Sequence, residues 1–499
     1  MQGDLYLFSG LLAFRLVNAL TTGTYFQPDE FWQGLEPAHE LVFGYGYLTW
    51  EWRDALRSIA HPLVFAGVYR LSEVFGFGVD GVLYGPKVLQ SLCAALADIF
   101  VYKFSSKTYG DEISRITLLC TVTSAFNYHV SVRTFSNSME MALLISALYF
   151  WPLETKLNYK SYIKALVLAA IACILRPTNA LIWLYMGISL IYKHKSLKPG
   201  FSALAVVGII FSCNALLDIW YYRRVTWPLY NFLKFNVVES LSSFYGVNRK
   251  LYYIIEALPQ LLTVYLPFFF HGIYSSRRTL LAQMCAFVVF TYSLIAHKEM
   301  RFIYPLLPLF HIFSAISIVK LRVFSIPKFK YALVGALLAL NLPLAIYASI
   351  VHQRGVIDVT TYIRSSPEIT SVGFLMPCHS TPWMSHIHRP DVNAWFLTCE
   401  PPTGLSDTEI LNYRDEADQF YDDPVMYLST HFPPLTEPRQ NQSLDYKYSW
   451  PTHLIIFGAF EKIFTSFVND SYIECKRIFN SHLHDDSRRK GDVIVYRKV

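Results

Sequence analysis

A run of about twenty apolar residues can cross the hydrocarbon layer as a helix, because every backbone donor and acceptor is then satisfied inside the segment. This chain of 499 residues is a series of such runs, separated by short polar clusters. We place eleven spans, at roughly 5–22, 85–104, 115–130, 138–153, 162–176, 179–192, 202–222, 251–271, 279–296, 302–320 and 331–351. A soluble chain of this length would divide into several cores. Soluble domains also carry about 25% charged residues, whereas this chain carries 16%, and its mean hydropathy is +0.30. The expected class is an all-α polytopic membrane protein.

Lysine and arginine orient the spans. Lys103, Lys107 and Arg115 share a side with Lys156, Lys160 and Lys164, with Lys193, Lys195 and Lys198, with Arg277 and Arg278, and with Lys320, Arg322, Lys328 and Lys330. Positive loops stay in the cytosol. The N-terminus is then cytosolic, with the first run a retained anchor. Residues 23–84, 131–137, 223–250, 297–301 and 352–499 face the lumen. The domains read as 1–351, transmembrane and including the first lumenal loop 23–84, and 352–499, a lumenal tail. Lys298 and Arg301, and Arg223, Arg224, Lys234, Arg249 and Lys250, are lumenal exceptions to the charge bias and need a reason. Arg176-Pro177-Thr178 separates two short spans; it is either a helix broken beside a cavity or a tight turn.

The tail is rich in proline and acid. Its sequons at Asn441 and Asn469 are glycosylation candidates, usable only in a lumenal compartment. The net charge of +6 comes without a dense basic stripe, so no nucleic-acid partner is expected. Eight cysteines show no CxxC or His/Cys metal spacing.

Four stretches carry chemistry. Gln27-Pro28-Asp29-Glu30-Phe31-Trp32-Gln33 sets two carboxylates beside aromatics at a membrane surface, where they are costly unless solvated, paired or used. An acidic helix start behind a proline explains the same residues, and spacing alone does not separate the two. Gly44 to Trp52 interleaves glycines with flat aromatic faces and holds Trp50 and Glu51. Such faces suit sugar rings and equally an interfacial belt. Arg133-Thr134-Phe135-Ser136-Asn137-Ser138 is a compact polar loop. His297-Lys298-Glu299-Met300-Arg301 holds three potential cations that suit a phosphate leaving group, or that pair with Glu299 instead. No Asp-x-Asp, Walker A, GxGxxG or HExxH pattern occurs, so neither a metal nor a nucleotide clamp is expected.

These residues resemble a known family. The stretch around Pro28-Asp29-Glu30 is similar to the His-Pro-Asp-Glu signature of the membrane-embedded GT-C glycosyltransferases of family 22, with Gln27 where many members carry histidine. The Gly44–Trp52, Arg133–Ser138 and His297–Arg301 stretches resemble the family's other marks, in the same order. Met376-Pro377-Cys378-His379-Ser380-Thr381-Pro382-Trp383, followed by Cys399-Glu400-Pro401-Pro402, is similar to the branch that adds the third mannose of the GPI anchor precursor.

The resemblance implies a GT-C fold of about eleven transmembrane helices with a mixed α/β C-terminal lumenal domain. It implies an inverting α-1,2-mannosyltransferase of the endoplasmic reticulum. The partners would be membrane lipids, dolichyl-phosphate mannose as donor and a GPI precursor glycolipid as acceptor, with no cofactor besides the donor. Asp29 carries over as general base with Glu30 beside it. His297, Lys298 and Arg301 would face the donor phosphate, and Arg133, Asn137, Trp50 and Glu51 would bind substrate. The alternatives are another dolichyl-phosphate-mannose-dependent enzyme, acting on the N-glycan precursor or the fourth GPI mannose, or a polytopic lipid flippase or transporter. Cys378 and Cys399 flank proline-rich turns and are expected to form a disulfide. A bridge to Cys475, or free thiols, fit the spacing as well.

Overall fold

The computed structural model describes residues 2–153, 157–238, 241, 244, 246–405, 407–435 and 446–499. The chain divides into two compact units. One comprises Met1–Thr22 and Glu51–Ser349; the other comprises Gly23–Trp50 and Ile350–Val499.

The first unit is helical. Among the described residues of the whole chain, five helices are long and apolar enough to cross a membrane: Gln2–Thr21, Gly78–Tyr109, Lys198–Tyr222, Tyr253–Ser275 and Pro327–Ser365. The other expected spans are helical but shorter, among them Ser136–Phe150, Tyr159–Leu175, Ala180–His194 and Leu280–Leu294. The count of eleven spans is therefore not what the helix lengths give. Twelve of the fifteen residues of Ser136–Phe150 are buried, so this helix is solvated by protein and needs no full apolar length.

Interruptions follow the sequence. Tyr253–Ser275 passes through π and 3-10 turns at Tyr253–Ala257 and Thr263–Tyr265, with Pro259 and Pro267 removing ladder donors. At Arg176 the backbone turns extended, φ −141°, and a 3-10 turn Pro177–Asn179 separates two helices, so the proline does break the helix there. A Cβ at Gly272 would lie 1.8 Å from the carbonyl oxygen of Phe313. Only glycine allows the helices Leu266–Ser275 and Leu307–Lys320 to approach so closely.

The second unit is α/β. Five strands, β1 (Ser371–Leu375), β2 (Asn393–Phe396), β3 (His453–Phe457), β4 (Tyr472–Ile478) and β5 (Val493–Lys498), form one sheet in the order β2-β1-β3-β5-β4. β1 runs parallel to β2 and β3, while β5 runs antiparallel to β3 and β4. Every residue of β3 is buried, as expected for an apolar central strand covered on both faces. Leu454, Ile456, Ile494, Phe420 and Phe464 head its core.

Residues 23–50, expected inside the transmembrane domain, group with the tail instead. Hydrogen bonds explain this: the N–H of Tyr25 donates to the carbonyl of Gln353 at 3.1 Å, and Glu36 accepts from the backbone of Trp383 and Ser385. Asn469 is exposed in the turn before β4. Asn441 lies outside the described residues.

Candidate active site

In the second unit, Pro28 starts the signature helix. Its carbonyl accepts the N–H groups of Phe31 and Trp32 at 3.0 and 2.9 Å, and that of Gln27 accepts Glu30 N–H at 3.3 Å. Asp29 therefore heads the first turn, partly exposed, while Glu30 is buried. A π turn, Phe31–Leu35, follows, and then an α-helix, Glu36–Phe43, which Gly44 ends in the left-handed region at φ +77°. Such π turns recur at functional sites because they re-aim the side chains on either side.

Aromatics pack around this helix. Phe31 stacks on Tyr25 at 5.2 Å and meets His386 at 5.1 Å. Trp32 lies 4.5 Å from His379 and 5.0 Å from Phe396, and donates its indole N–H to the carbonyl of Thr381 at 3.2 Å. The Tyr25 hydroxyl donates to the carbonyl of His379 at 2.5 Å. The tail segment that carries the branch-type resemblance thus packs directly on the signature.

A disulfide joins Cys378 to Cys399, Cα to Cα 5.8 Å. His379 Nδ1 lies 3.8 Å from the Cys399 sulfur. Among the described residues, these three are the group whose potential metal-ligating atoms lie within 4.8 Å of one another. With both sulfurs bonded to each other, the group retains one imidazole and makes no metal site. Burial pushes the His379 imidazole down to about 4, against the attraction of Asp29.

Two features here went unread in the sequence. Glu36, fully buried, accepts from the N–H of Trp383 at 2.9 Å, the N–H of Ser385 at 3.1 Å and the Ser385 hydroxyl at 2.5 Å. Burial raises its carboxyl to about 7, although these bonds favour the charged form. Its signal was available: Glu36 follows Asp29 by seven residues, about two helical turns. His39 Nε2 lies 2.9 Å from His388 Nδ1, and the Tyr45 hydroxyl 3.2 Å from the same atom. Burial, then the neighbouring His388, hold His39 down at about 3.

In the helical unit, the two polar loops meet. Asn137 Nδ2 donates to the carbonyl of Arg301 at 3.0 Å, and the Arg301 guanidinium lies 5.6 Å from the Phe135 ring centre. Arg301 binds both oxygens of Glu299, at 2.6 and 2.5 Å, and His297 Nε2 lies 3.0 Å from Glu299 Oε1. Burial would raise the Glu299 carboxyl, but Arg301 and His297 overcome it and hold it at about 2. His297 is raised by its bonds to Glu299 and the Gly246 carbonyl, in spite of burial.

Lys298 behaves differently from its neighbours. Buried, it donates to the carbonyls of Asn248 and Ala296 at 3.0 and 3.4 Å, and so ties down the chain around 248. The buried Arg133 donates its Nε–H to the carbonyl of His129 at 2.9 Å. Glu51 pairs with Arg57 at 2.8 Å, and Arg57 lies over Phe232 at 5.6 Å. Trp50 is buried as the last residue of the second unit's first segment. Glu51 and Arg133 are thus engaged by chain neighbours, whereas Asn137 and Arg301 come together from 164 residues apart.

The model of the Alg9-like mannosyltransferase family matches residues 6–388. GPI mannosyltransferase 3 of Yarrowia lipolytica is 44% identical over 493 residues, covering 97% of this chain and 96% of the relative. GPI mannosyltransferase 3 of Debaryomyces hansenii is 42% identical over 506 residues, covering 98% and 91%. The crystal structure of ArnT from Cupriavidus metallidurans bound to undecaprenyl phosphate superimposes with a TM-score of 0.59 at 11% identity, covering 100% of this chain and 98% of that one.

The family match defines a glycosyltransferase, on a chain whose described residues include five helices long and apolar enough to cross a membrane. The chain belongs to the Alg9-like mannosyltransferase family. The transporter alternative falls with that membership.

Proposed function

We propose that this protein adds the third mannose of the GPI anchor precursor, through an α-1,2 bond, from dolichyl-phosphate mannose at the lumenal face of the endoplasmic reticulum. The observation that carries the reading is its likeness, over 97–98% of the chain, to relatives named GPI mannosyltransferase 3. The donor's β-linked mannose becomes α-linked, so the reaction inverts by direct displacement. Such a reaction needs one base for the acceptor hydroxyl and cations for the departing phosphate. We assign Asp29 as the base. Its support is its place at the head of the signature helix, partly exposed, with a second carboxylate, Glu30, buried beside it. We assign Arg301 and His297 to the donor phosphate. In the structure both bind Glu299, so a phosphate would compete with that carboxylate for the same planar fork.

The test is transfer by the purified full-length protein to GPI intermediates carrying two or three mannoses. The reading expects extension of the two-mannose acceptor and removal of the product's new mannose by an α-1,2-specific mannosidase. Extension of the three-mannose acceptor alone would move the protein to another step.

A further inference from the structure

The helix Ser136–Phe150 contains one charged residue, Glu140, and it is 3% exposed. An ionisable group at membrane depth is expensive and is kept where it acts. Glu140 Oε1 accepts from Asn179 Nδ2 at 2.7 Å, and Oε2 accepts from Asn137 Nδ2 at 3.4 Å. The same Asn137 nitrogen donates to the Arg301 carbonyl at 3.0 Å, and Asn179 Oδ1 accepts the Trp183 indole N–H at 2.6 Å.

Neither amide can turn over. A flipped Asn137 would set oxygen against both the Arg301 carbonyl and the carboxylate, and a flipped Asn179 would set nitrogen against the indole N–H. Position 140 must therefore accept twice, which a carboxylate does and an amide does not. Three segments remote in sequence, the polar loop at 137, the helix break at 176–179 and the cationic loop at 301, meet on this one group.

We propose that Glu140 is a positioning residue for donor binding: it fixes the Arg301 backbone through Asn137 and locks the helix break through Asn179. This rests on the reading of Arg301 as a phosphate ligand.

The experiment is transfer kinetics on full-length protein in nanodiscs, with donor and acceptor varied separately and thermal stability recorded for each variant. E140Q places a donor against one of the two amides. A buried donor left unmatched should raise the donor KM about ten- to hundredfold, with the acceptor KM little changed. In E140Q/N179D the new amide donates to the carboxylate introduced at position 179, whose second oxygen keeps Trp183, while the glutamine oxygen serves Asn137. The donor KM should return to within about threefold of the unmutated protein. In E140Q/N137D the carboxylate introduced at position 137 cannot donate to the Arg301 carbonyl, and the defect should persist.

A normal donor KM in E140Q, a change confined to thermal stability, or equal behaviour of the two double variants overturns the proposal. Misfolding of E140Q alone leaves the two double variants to decide between the outcomes. Arg301→Gln is run alongside. An unchanged donor KM there overturns the reading of the loop itself. A raised donor KM there, beside a normal one in E140Q, overturns only the role of Glu140.

Discussion

The two units put opposite chemistry on their surfaces. The helical unit exposes Phe201, Leu204, Ile209 and Leu216 along Lys198–Tyr222, and buries the ion pair of Arg15 with Asp98 at 2.7 Å. The sheet unit buries Leu454, Ile456 and Phe464, and exposes ion pairs such as Arg414 with Asp422 and Arg477 with Glu461. The inversion reports the solvent of each unit. In hydrocarbon a charge is satisfied only by turning inward to a partner. In water the apolar side chain is the one that gains by turning inward.

Chemistry that moves protons belongs where water reaches, so the comparison breaks first at Asp29 of the sheet unit. Asp29→Asn keeps the shape of the side chain and removes its basicity. The expected loss is about 10²–10⁴ in kcat, with expression and melting unchanged because the group is partly exposed. Glu30→Gln is the control that separates the two carboxylates. Normal turnover by a well-folded Asp29→Asn protein would remove the base from this unit.

The second effect contrasts ion pairs. Arg15 donates to both oxygens of Asp98, 83 residues away, at 2.7 and 2.9 Å, and neither side chain is exposed. Arg15→Met or Asp98→Leu leaves one buried charge unmatched, a cost of about 3–5 kcal/mol, while the double variant should recover most of it. Arg477→Met, in an exposed pair, should cost about 0–1 kcal/mol. Denaturation in nanodiscs measures all four. Equal losses at the two sites would erase the contrast.

These cases also show what the sequence could tell. The helix start at Pro28 and the pairing of His297 and Arg301 with Glu299 were legible because each lies within a few residues. The helix break at Pro177 was legible because proline acts locally. The partners of Arg15 and of Glu140 were not, since hydrogen-bonding partners 83 and 39 residues away leave no periodic trace. The placement of residues 23–50 was missed for the same reason. A polar loop between apolar runs looks alike whichever unit it packs on, and only bonds such as Glu36 to Ser385 decide it. Helix length does not confirm the count of eleven spans, because an apolar run buried in protein and one bathed in lipid read the same.

Next in size is the disulfide, whose effect should fall on the sheet unit. Cys378 and Cys399 are 21 residues apart, and closing such a loop constrains the unfolded chain by about 3 kcal/mol. Cys378→Ser with Cys399→Ser should lower the melting of this unit by that amount, while the helical unit, with no share in the bridge, keeps its own transition. Alkylation of both cysteines without prior reduction would rule the bridge out.

The smallest expected effect is a pH dependence of the sheet unit between about pH 6.5 and 4.5. His39 and His379 have folded values near 3 and 4, below the ordinary 6.5. As pH falls through 6.5 the unfolded chain takes two protons that the folded chain refuses, so stability is lost. Glu36 works the other way: its folded value is about 7 against an ordinary 4.5, so between those limits the folded chain holds the extra proton and gains as pH falls. His453 is lowered by burial as well, and Glu40 is raised by it; the histidine losses set the sign, and stability falls with pH across the window. Stability should therefore peak near pH 6.5–7. It should fall more steeply below 4.5, where Glu36 is neutral in both states and its offset is gone. In the helical unit Glu299, held at about 2, gives up stability only as pH drops below its ordinary 4.5, outside this window. Glu36→Gln should steepen the sheet unit's slope between 6.5 and 4.5, and His379→Gln should lessen it. Melting curves of the full chain across that range, followed by tryptophan emission, test both, and a slope that Glu36→Gln leaves unchanged would show that the buried carboxyl is not the group that offsets the histidines.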